Sequence, residues 1–323
     1  IRGGEGTRSD NVTVMEDGIL TAPAAYSAPS AYYSPNAARM GGIEVLKGSS
    51  QIAHGPHTTG GVVNYLSTQF PTDHSFYLRS TYGSNSAFDI HGYWSDTSEG
   101  DFGNVGLLTE IYYRQTDGYR TIDAGNGYGG SDKTGFDLME PMIKLYWEPN
   151  SDVYQRWEFK YGYTEFDADE TYAGLTESDI ASNPYRRYAG TFLDNIQTEH
   201  TRTYLKYLVE PADNLTLQVA AYYNEFERDW YNINKAGGQS VSKVVADPIT
   251  YAAAFYDLRL LGTGSLGIKH NSRAYESKGV QFNFDYDTTI AGTEHNFTGG
   301  ARFHTDSIRR FQQQDTIDLS NVA

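Results

Sequence analysis

Arg186 and Arg187 stand side by side in the stretch from Asp167 to Thr198, which also carries Asp167, Asp169, Glu170, Asp179 and Asp194. A guanidinium presents a planar fork of donors that grips a carboxylate through two parallel hydrogen bonds, so such a pair suits a carboxylate-rich ligand. The same stretch offers both arginines another use, pairing with Asp179, Asp194 or a neighbouring acid. Asp167, Asp169 and Glu170 are oxygen donors of the kind that hold Ca²⁺, but the plainer reading is a solvated acidic loop. The eight histidines are scattered, with no metal-ligand spacing such as H-x₃-H. Neither a GxSxG elbow, an HExxH pair nor a phosphate-binding glycine loop occurs. Asp285 and Asp287 lie two apart on one strand face, whereas a glycosidase pair needs carboxylates converging from different strands. The chemistry on offer is binding, and the chain reads as no enzyme.

Something must position these residues. In 323 residues, hydrophobic side chains make up only 39%, yet there are 27 Tyr and 33 Gly and no Cys. The formal net charge of −16 argues against a nucleic-acid partner. The uncharged run from Gly18 to Ala38 is long enough for a membrane helix, but Pro23, Pro29 and Pro35 break it, so it reads as loop. A mean hydropathy of −0.56 does not exclude a membrane barrel, where only every second residue meets lipid.

That alternation is present. Trp157, Phe159, Tyr161 and Tyr163 share one face against Arg156, Glu158, Lys160 and Thr164; Leu215, Leu217, Val219, Ala221 and Tyr223 oppose Thr216, Gln218, Ala220, Tyr222 and Asn224; Val280, Phe282, Phe284 and Tyr286 oppose Gln281, Asn283, Asp285 and Asp287. Looser alternation at 76–82, 88–94, 105–113, 143–147, 205–209 and 297–303 brings the total to about nine strands. A soluble sandwich would alternate too, so the connections decide. They are short near 95–103, 148–154, 210–214 and 288–294, and long near 116–135, 167–198 and 232–277; only the link at 83–86 is short out of turn. Short turns on one side and long loops on the other describe an outer-membrane barrel. Trp94, Trp147 and Trp157 fall beside short turns and Trp230 beside a long loop, as interfacial aromatics should.

The stretch Ile43 to Ser67 adds a strand, a glycine turn and a second strand. Ile43, Glu44, Val45, Lys47, Gly48, Gly55, Gly60, Gly61, Val62 and Asn64 match the closing segment of the plug domain of TonB-dependent outer-membrane receptors. Upstream, Ile1-Arg2-Gly3 and Val14-Met15-Glu16-Asp17-Gly18-Ile19 match two further blocks of that family. In the long loop, Glu170, Thr171, Tyr172, Gly174, Leu175, Thr176, Asp179, Asn183, Pro184, Arg186, Arg187, Tyr188, Ala189 and Asp194 resemble a signature of receptors of the ferric dicitrate type.

The resemblance implies an all-β transmembrane antiparallel β-barrel, of 22 strands when complete, with a small α+β plug. Residues 1–70 would be the C-terminal part of the plug and 71–323 the first barrel strands, so the chain reads as a fragment. It further implies a site in the bacterial outer membrane, among its lipids and lipopolysaccharide, and import of a ferric chelate such as ferric citrate, driven by the TonB-ExbB-ExbD energy-coupling complex. Iron would arrive already chelated, so no metal ligands and no bound cofactor are expected. Ligand contacts are expected from Arg186, Arg187, Tyr172 and Thr176 in the loop and from His57, Thr58 and Tyr26 at the plug apex. Plug–barrel contacts are expected between the bases Arg2 and Lys47 and the wall acids Glu110 and Glu158. A passive porin or adhesin barrel would share the alternation but has no use for the plug blocks; a soluble carbohydrate-binding β-protein would account for the aromatics.

Overall fold

A computed structural model describes residues 12–21, 33–48, 54 and 60–321. Arg2, Tyr26, His57 and Thr58 lie outside them. Four short strands form a first sheet: β1 (Val12–Glu16), β2 (Ile19–Leu20), β3 (Met40–Leu46) and β4 (Gly61–Ser67), in the order β2-β1-β4-β3. β1 runs parallel to β4, and every residue of β1 is buried. Between β1 and β2 lies a two-residue turn in which Asp17 and Gly18 both have positive φ (52° and 77°). Asp-Gly is the pair that tolerates this left-handed backbone, which matches the twist of the flanking strands. The turn therefore holds the Asp17 carboxylate at the tip of a hairpin.

The second sheet is an antiparallel meander of nine long strands: β5 (Ser75–Tyr82), β6 (Phe88–Gly100), β7 (Gly103–Thr116), β9 (Phe136–Glu148), β10 (Tyr154–Ala168), β12 (Asn195–Ala212), β13 (Leu215–Ala236), β15 (Ser265–Ile290) and β16 (Thr293–Asp318). Each contains one of the nine alternating segments of the sequence, and β12, β13, β15 and β16 extend well beyond theirs toward the long links. The links at one end are residues 101–102, 149–153, 213–214 and 291–292, and the long links 117–135, 169–194 and 237–264 all lie at the other end.

Burial is inverted relative to a soluble sheet. Val105, Leu145, Trp157, Tyr161, Leu205, Val219 and Val280 are exposed, whereas Lys144, Lys160, Arg202, Glu110 and Glu140 are buried on the opposite face. An apolar face turned outward from a polar interior is the arrangement a lipid-facing barrel wall requires. Among the described residues no helix is long and apolar enough to cross a membrane. On β13 the outward apolar positions end at Tyr223 and give way to Glu225, Glu227 and Asp229. The strand continues well past the lipid.

Trp147 and Trp157 face outward and sit directly opposite each other across β9 and β10, beside the short turns as expected. Trp230 does not behave as an interfacial residue. It is 5% exposed and lies on the interior face, with Tyr172 against its ring at 4.4 Å and Arg228 over it at 5.4 Å. Tyrosines such as Tyr223, whose hydroxyl donates to Glu225, take the outer aromatic position instead.

The long links fold. The first contains β8 (Thr121–Ile122); the second contains α1 (Glu177–Ser182) and β11 (Arg186–Arg187); the third contains β14 (Gln239–Ser240), α2 (Val241–Ala246) and α3 (Ala252–Leu260). β8 and β11 pair in parallel, joining the first link to the second. Tyr188, Ala189, Val244, Ala254, Leu258 and Leu266 belong to one buried apolar cluster that joins the second and third links to the tops of β13 and β15. Gly190 allows this approach, because a Cβ there would lie 2.7 Å from the Leu258 carbonyl oxygen. The connection at 169–194, too long to read as plain loop, is part of a packed unit with its own core.

Candidate functional site

Two clusters of charge occupy the inner face of the wall. The lower one is built on the β1–β2 turn. Glu16 accepts from both terminal nitrogens of Arg39 at 3.2 Å and from Lys160 Nζ at 2.6 Å, and its other oxygen lies 3.3 Å from Arg202 Nε. Asp17 Oδ2 accepts from Lys160 Nζ at 2.6 Å and Ser67 Oγ at 2.6 Å, with Lys144 Nζ at 3.6 Å; its own carbonyl accepts from Lys206 Nζ at 2.7 Å. Arg39 Nε closes the cluster against Glu140 at 3.3 Å. Arg39, Glu16, Lys160 and Lys144 are each no more than 2% exposed. Burial alone would raise both plug carboxyls, but Arg39, Lys160 and Arg202 around Glu16, and Lys160, Lys144 and Lys206 around Asp17, outweigh it and hold both well below the ordinary carboxylate range.

The small sheet thus meets the wall mainly as acid on base, opposite to the polarity expected. Glu110 does touch the chain leaving the plug, but through the Thr68 hydroxyl at 2.6 Å, with His91 Nε2 at 2.7 Å on the same oxygen. Glu158 accepts from Tyr204 OH at 2.7 Å and lies 3.5 Å from Arg156. Lys47 is exposed just beyond β3. The residues that do the clasping, Lys144, Lys160, Arg202 and Lys206, were readable only as charges on the polar faces of alternating strands.

The upper cluster lies above Tyr33. Tyr33 packs edge-on against His200 at 4.1 Å and joins Phe226, Tyr275 and Ile308 in one cluster. One same-face step higher on their strands stand Arg228, Arg273 and Arg310, since side chains two apart share a face. The strand register places Arg228 directly opposite Arg273 and Arg273 directly opposite Arg310. Traced the other way, the row runs through Thr198, Phe166 and Leu138 to Arg114, with Asp89 beyond it on β6. Four arginines therefore share one cross-strand row of the inner face, Arg228, Arg273 and Arg310 on three adjacent strands and Arg114 four strands from Arg228. Beside Arg114, a cavity of about 330 Å³ separates Tyr33, Ser34 and Asn36 from Phe136, Glu140 and Thr164.

The loop arginines are placed elsewhere. Arg186 donates through Nε to Asp123 at 2.9 Å and through Nη1 to Asp179 at 2.8 Å, and its side chain is 19% exposed. Arg187 is 3% exposed and donates to the Thr191 carbonyl and hydroxyl and to the Asp169 carbonyl. Both forks are engaged within the loop unit; Asp179 and Asp123, not Asp194, accept from Arg186. Asp179 also accepts from Tyr188 OH at 2.7 Å and faces Arg259 at 3.1 Å; burial opposes its ionisation, and these donors overcome it and lower its carboxyl. Thr176 is buried and caps α1, its hydroxyl accepting from Asp179 N at 3.2 Å. Tyr172, 71% exposed, borders a cleft of about 840 Å³ with Thr176, Asn232, Asn234, Ser240 and Val241. Asp194 has a different fate: buried at the start of β12, it accepts from the Thr171 hydroxyl and from Ile233 N at 2.6 Å, and burial pushes its carboxyl up to about 7.

No family model matches the sequence, and no curated protein matches it. Solved structures do. The ferric citrate transporter FecA in its unliganded form superposes with a TM-score of 0.71 at 18% identity, covering 99% of this chain and 42% of FecA. The siderophore receptor PiuA from Acinetobacter baumannii gives 0.65 at 14% identity, with coverages of 94% and 39%. The ferric-catecholate import receptor Fiu from E. coli K12 in its open form gives 0.64 at 14%, with 92% and 42%. The chain spans about two fifths of the length of these proteins, and at such identities the likeness establishes the fold: a transmembrane β-barrel wall with a plug against its inner face.

Proposed function

We propose that this chain builds the C-terminal part of the plug, from residues 1–70, and the first about nine strands of the barrel wall, from residues 71–323, of a bacterial outer-membrane importer for an iron chelate rich in carboxylates, of the ferric citrate kind. The observation that carries this reading is the row of Arg114, Arg228, Arg273 and Arg310, which on β13, β15 and β16 stands one same-face step above the cluster around Tyr33. Like charges directly opposite on neighbouring strands repel, and a polycarboxylate lying against Arg228, Arg273 and Arg310, which occupy three adjacent strands about 5 Å apart, would offset that repulsion, with Arg114 four strands away. Tyr172 and the cleft beside it form the outer rim of the same vestibule. Arg186, Arg187 and Thr176 serve the site from behind, by fixing the loop unit that carries Tyr172. The fold neighbours include a ferric citrate transporter and two siderophore receptors, which supports iron chelates as the cargo class. The outer membrane holds no ATP, so a plug clasped this firmly has to be displaced by force from the periplasm. That is the role assigned to a TonB-ExbB-ExbD complex.

The test is a fluorescence-quench titration of the native protein with ferric citrate, comparing wild type with an Arg228→Gln/Arg310→Gln variant. Each charged hydrogen-bonding group lost costs about 1.5–3 kcal/mol, so affinity should fall at least about tenfold. Unchanged affinity for ferric citrate and for every other carboxylate chelate tried would overturn the assignment.

A further inference from the structure

Lys144 and Lys160 face each other directly across β9 and β10, and Lys206 lies on β12, the next strand, one same-face step below Tyr204, the residue opposite Lys160. Arg202 is one such step above Tyr204. Four cations so close on one buried wall are stable because Glu16 and Asp17 sit among them. The wall is therefore already a carboxylate site, and its two occupants are known: Glu16 Oε1 and Asp17 Oδ2 both take Lys160 Nζ at 2.6 Å, Arg202 Nε approaches Glu16 at 3.3 Å, and Tyr204 OH lies 3.4 Å from Asp17. Apart from Ser67 and Arg39, every donor to these two side chains belongs to the barrel and stays when the plug leaves.

We infer that Lys144, Lys160, Arg202 and Lys206 form a second, inner site for polycarboxylates, which the plug keeps filled at rest and which receives the carboxylates of the cargo as the plug withdraws. This rests on the import reading given above. Lys160 lies six residues below Phe166, the β10 member of the arginine row, or roughly 20 Å along the strand at about 3.3 Å per residue. Arg202 stands between the two levels. An anion released from the upper row thus meets Arg202 about 13 Å further in and Lys160 about 20 Å further in, and exchange of one pair of carboxylates for another keeps the buried lysines compensated. Without such an exchange, plug withdrawal would leave Lys144 and Lys160 facing each other with Glu158, directly opposite Lys206, as the nearby wall carboxylate.

The inference is tested by isothermal titration of iron-free citrate into the detergent-solubilised native protein. Removing the resident carboxylates in a Glu16→Ala/Asp17→Ala variant should add one citrate equivalent per protein over wild type. Adding Lys144→Gln/Lys160→Gln should abolish that extra equivalent. A folded double variant, with wild-type β-sheet circular dichroism, that gains no citrate equivalent would overturn the inference, as would an extra equivalent that survives loss of the lysines. Should the double variant fail to fold, Asp17→Ala alone is read by the same two criteria. Failure of the outer site is seen separately, as wild-type protein that ignores ferric citrate while the alanine variant still gains its site.

Discussion

Replacing Lys160 by Gln removes the one group that touches both plug carboxylates, at 2.6 Å each. Loss of one partner from a buried pair costs about 3–5 kcal/mol, because the remaining charge stays buried without compensation. Here Arg39 and Arg202 still flank Glu16 and Lys144 still faces Asp17, which places the expected loss of plug docking near the lower end, about 3 kcal/mol. Proteolysis of the plug in native protein under conditions of fast opening and closing reports that free energy directly, and about 3 kcal/mol corresponds to roughly a hundredfold faster cleavage. Combining Lys160→Gln with Asp17→Asn should cost less than the sum of the single changes, by about 1–3 kcal/mol. The pH dependence follows from the depressed carboxyls. Their contribution is complete above the ordinary values of 4.5 for Glu16 and 3.8 for Asp17 and is lost as pH falls through the lower folded values. The gap between wild type and Lys160→Gln should therefore hold from pH 7 to about pH 5 and narrow only in stronger acid. Unchanged cleavage in the single variant, or strict additivity in the double, would refute the account of the plug as charge-clasped.

Two other perturbations probe the loop unit and the lipid face. Asp194, pushed up to about 7 from 3.8, favours the folded loop fully below its ordinary value, and that contribution is lost as pH rises toward 7. Three pH units at about 1.36 kcal/mol each set an upper limit of about 4 kcal/mol. Asp194→Asn should flatten this dependence, read as hydrogen exchange of the Ile233 amide at pH 5 and pH 8; a wild-type amide protected equally at both would contradict it. Val219 faces outward within the apolar belt. Val219→Lys should cost about 2–4 kcal/mol in urea-dependent refolding into lipid vesicles, whereas the same change at the inward-facing Gln218 should cost far less; equal costs would mean the faces are misassigned.

The strands were legible where lipid imposes alternation and became illegible where it stops. On β13 the readable pattern covers Leu215 to Tyr223, yet the strand runs to Ala236, because beyond the belt both faces meet polar surroundings while the hydrogen-bond ladder continues. Trp230 was misplaced for the same reason: proximity to a loop in sequence does not say which face a side chain takes. The arginine row could not be seen at all, since Arg114 and Arg310 are 196 positions apart in the chain and only the register of six strand pairs brings them level. The lower cluster was hidden for another reason. Lys160 is legible on the interior face of its strand, but the resemblance pairs plug bases with wall acids, whereas the Asp-Gly turn presents plug carboxylates to wall bases. For Arg186 the nearby Asp179 was the better guide, though Asp123, its other partner, comes from another loop, while Arg187 is held by the Thr191 hydroxyl and two backbone carbonyls and by no carboxylate among the described hydrogen bonds.

β15 and β16 are each 26 residues long, about 85 Å of extended chain, of which an apolar band about 25 Å tall accounts for only part even with strong tilt. The two charge clusters therefore sit at different heights, the arginine row above the belt and the lysine socket at belt depth. Burial is nevertheless shared, since Arg228 is 1% and Lys160 2% exposed, and mobile ions, which screen exposed charges beyond about 8–10 Å, act little on either. Added salt would thus leave the contacts of both clusters largely intact.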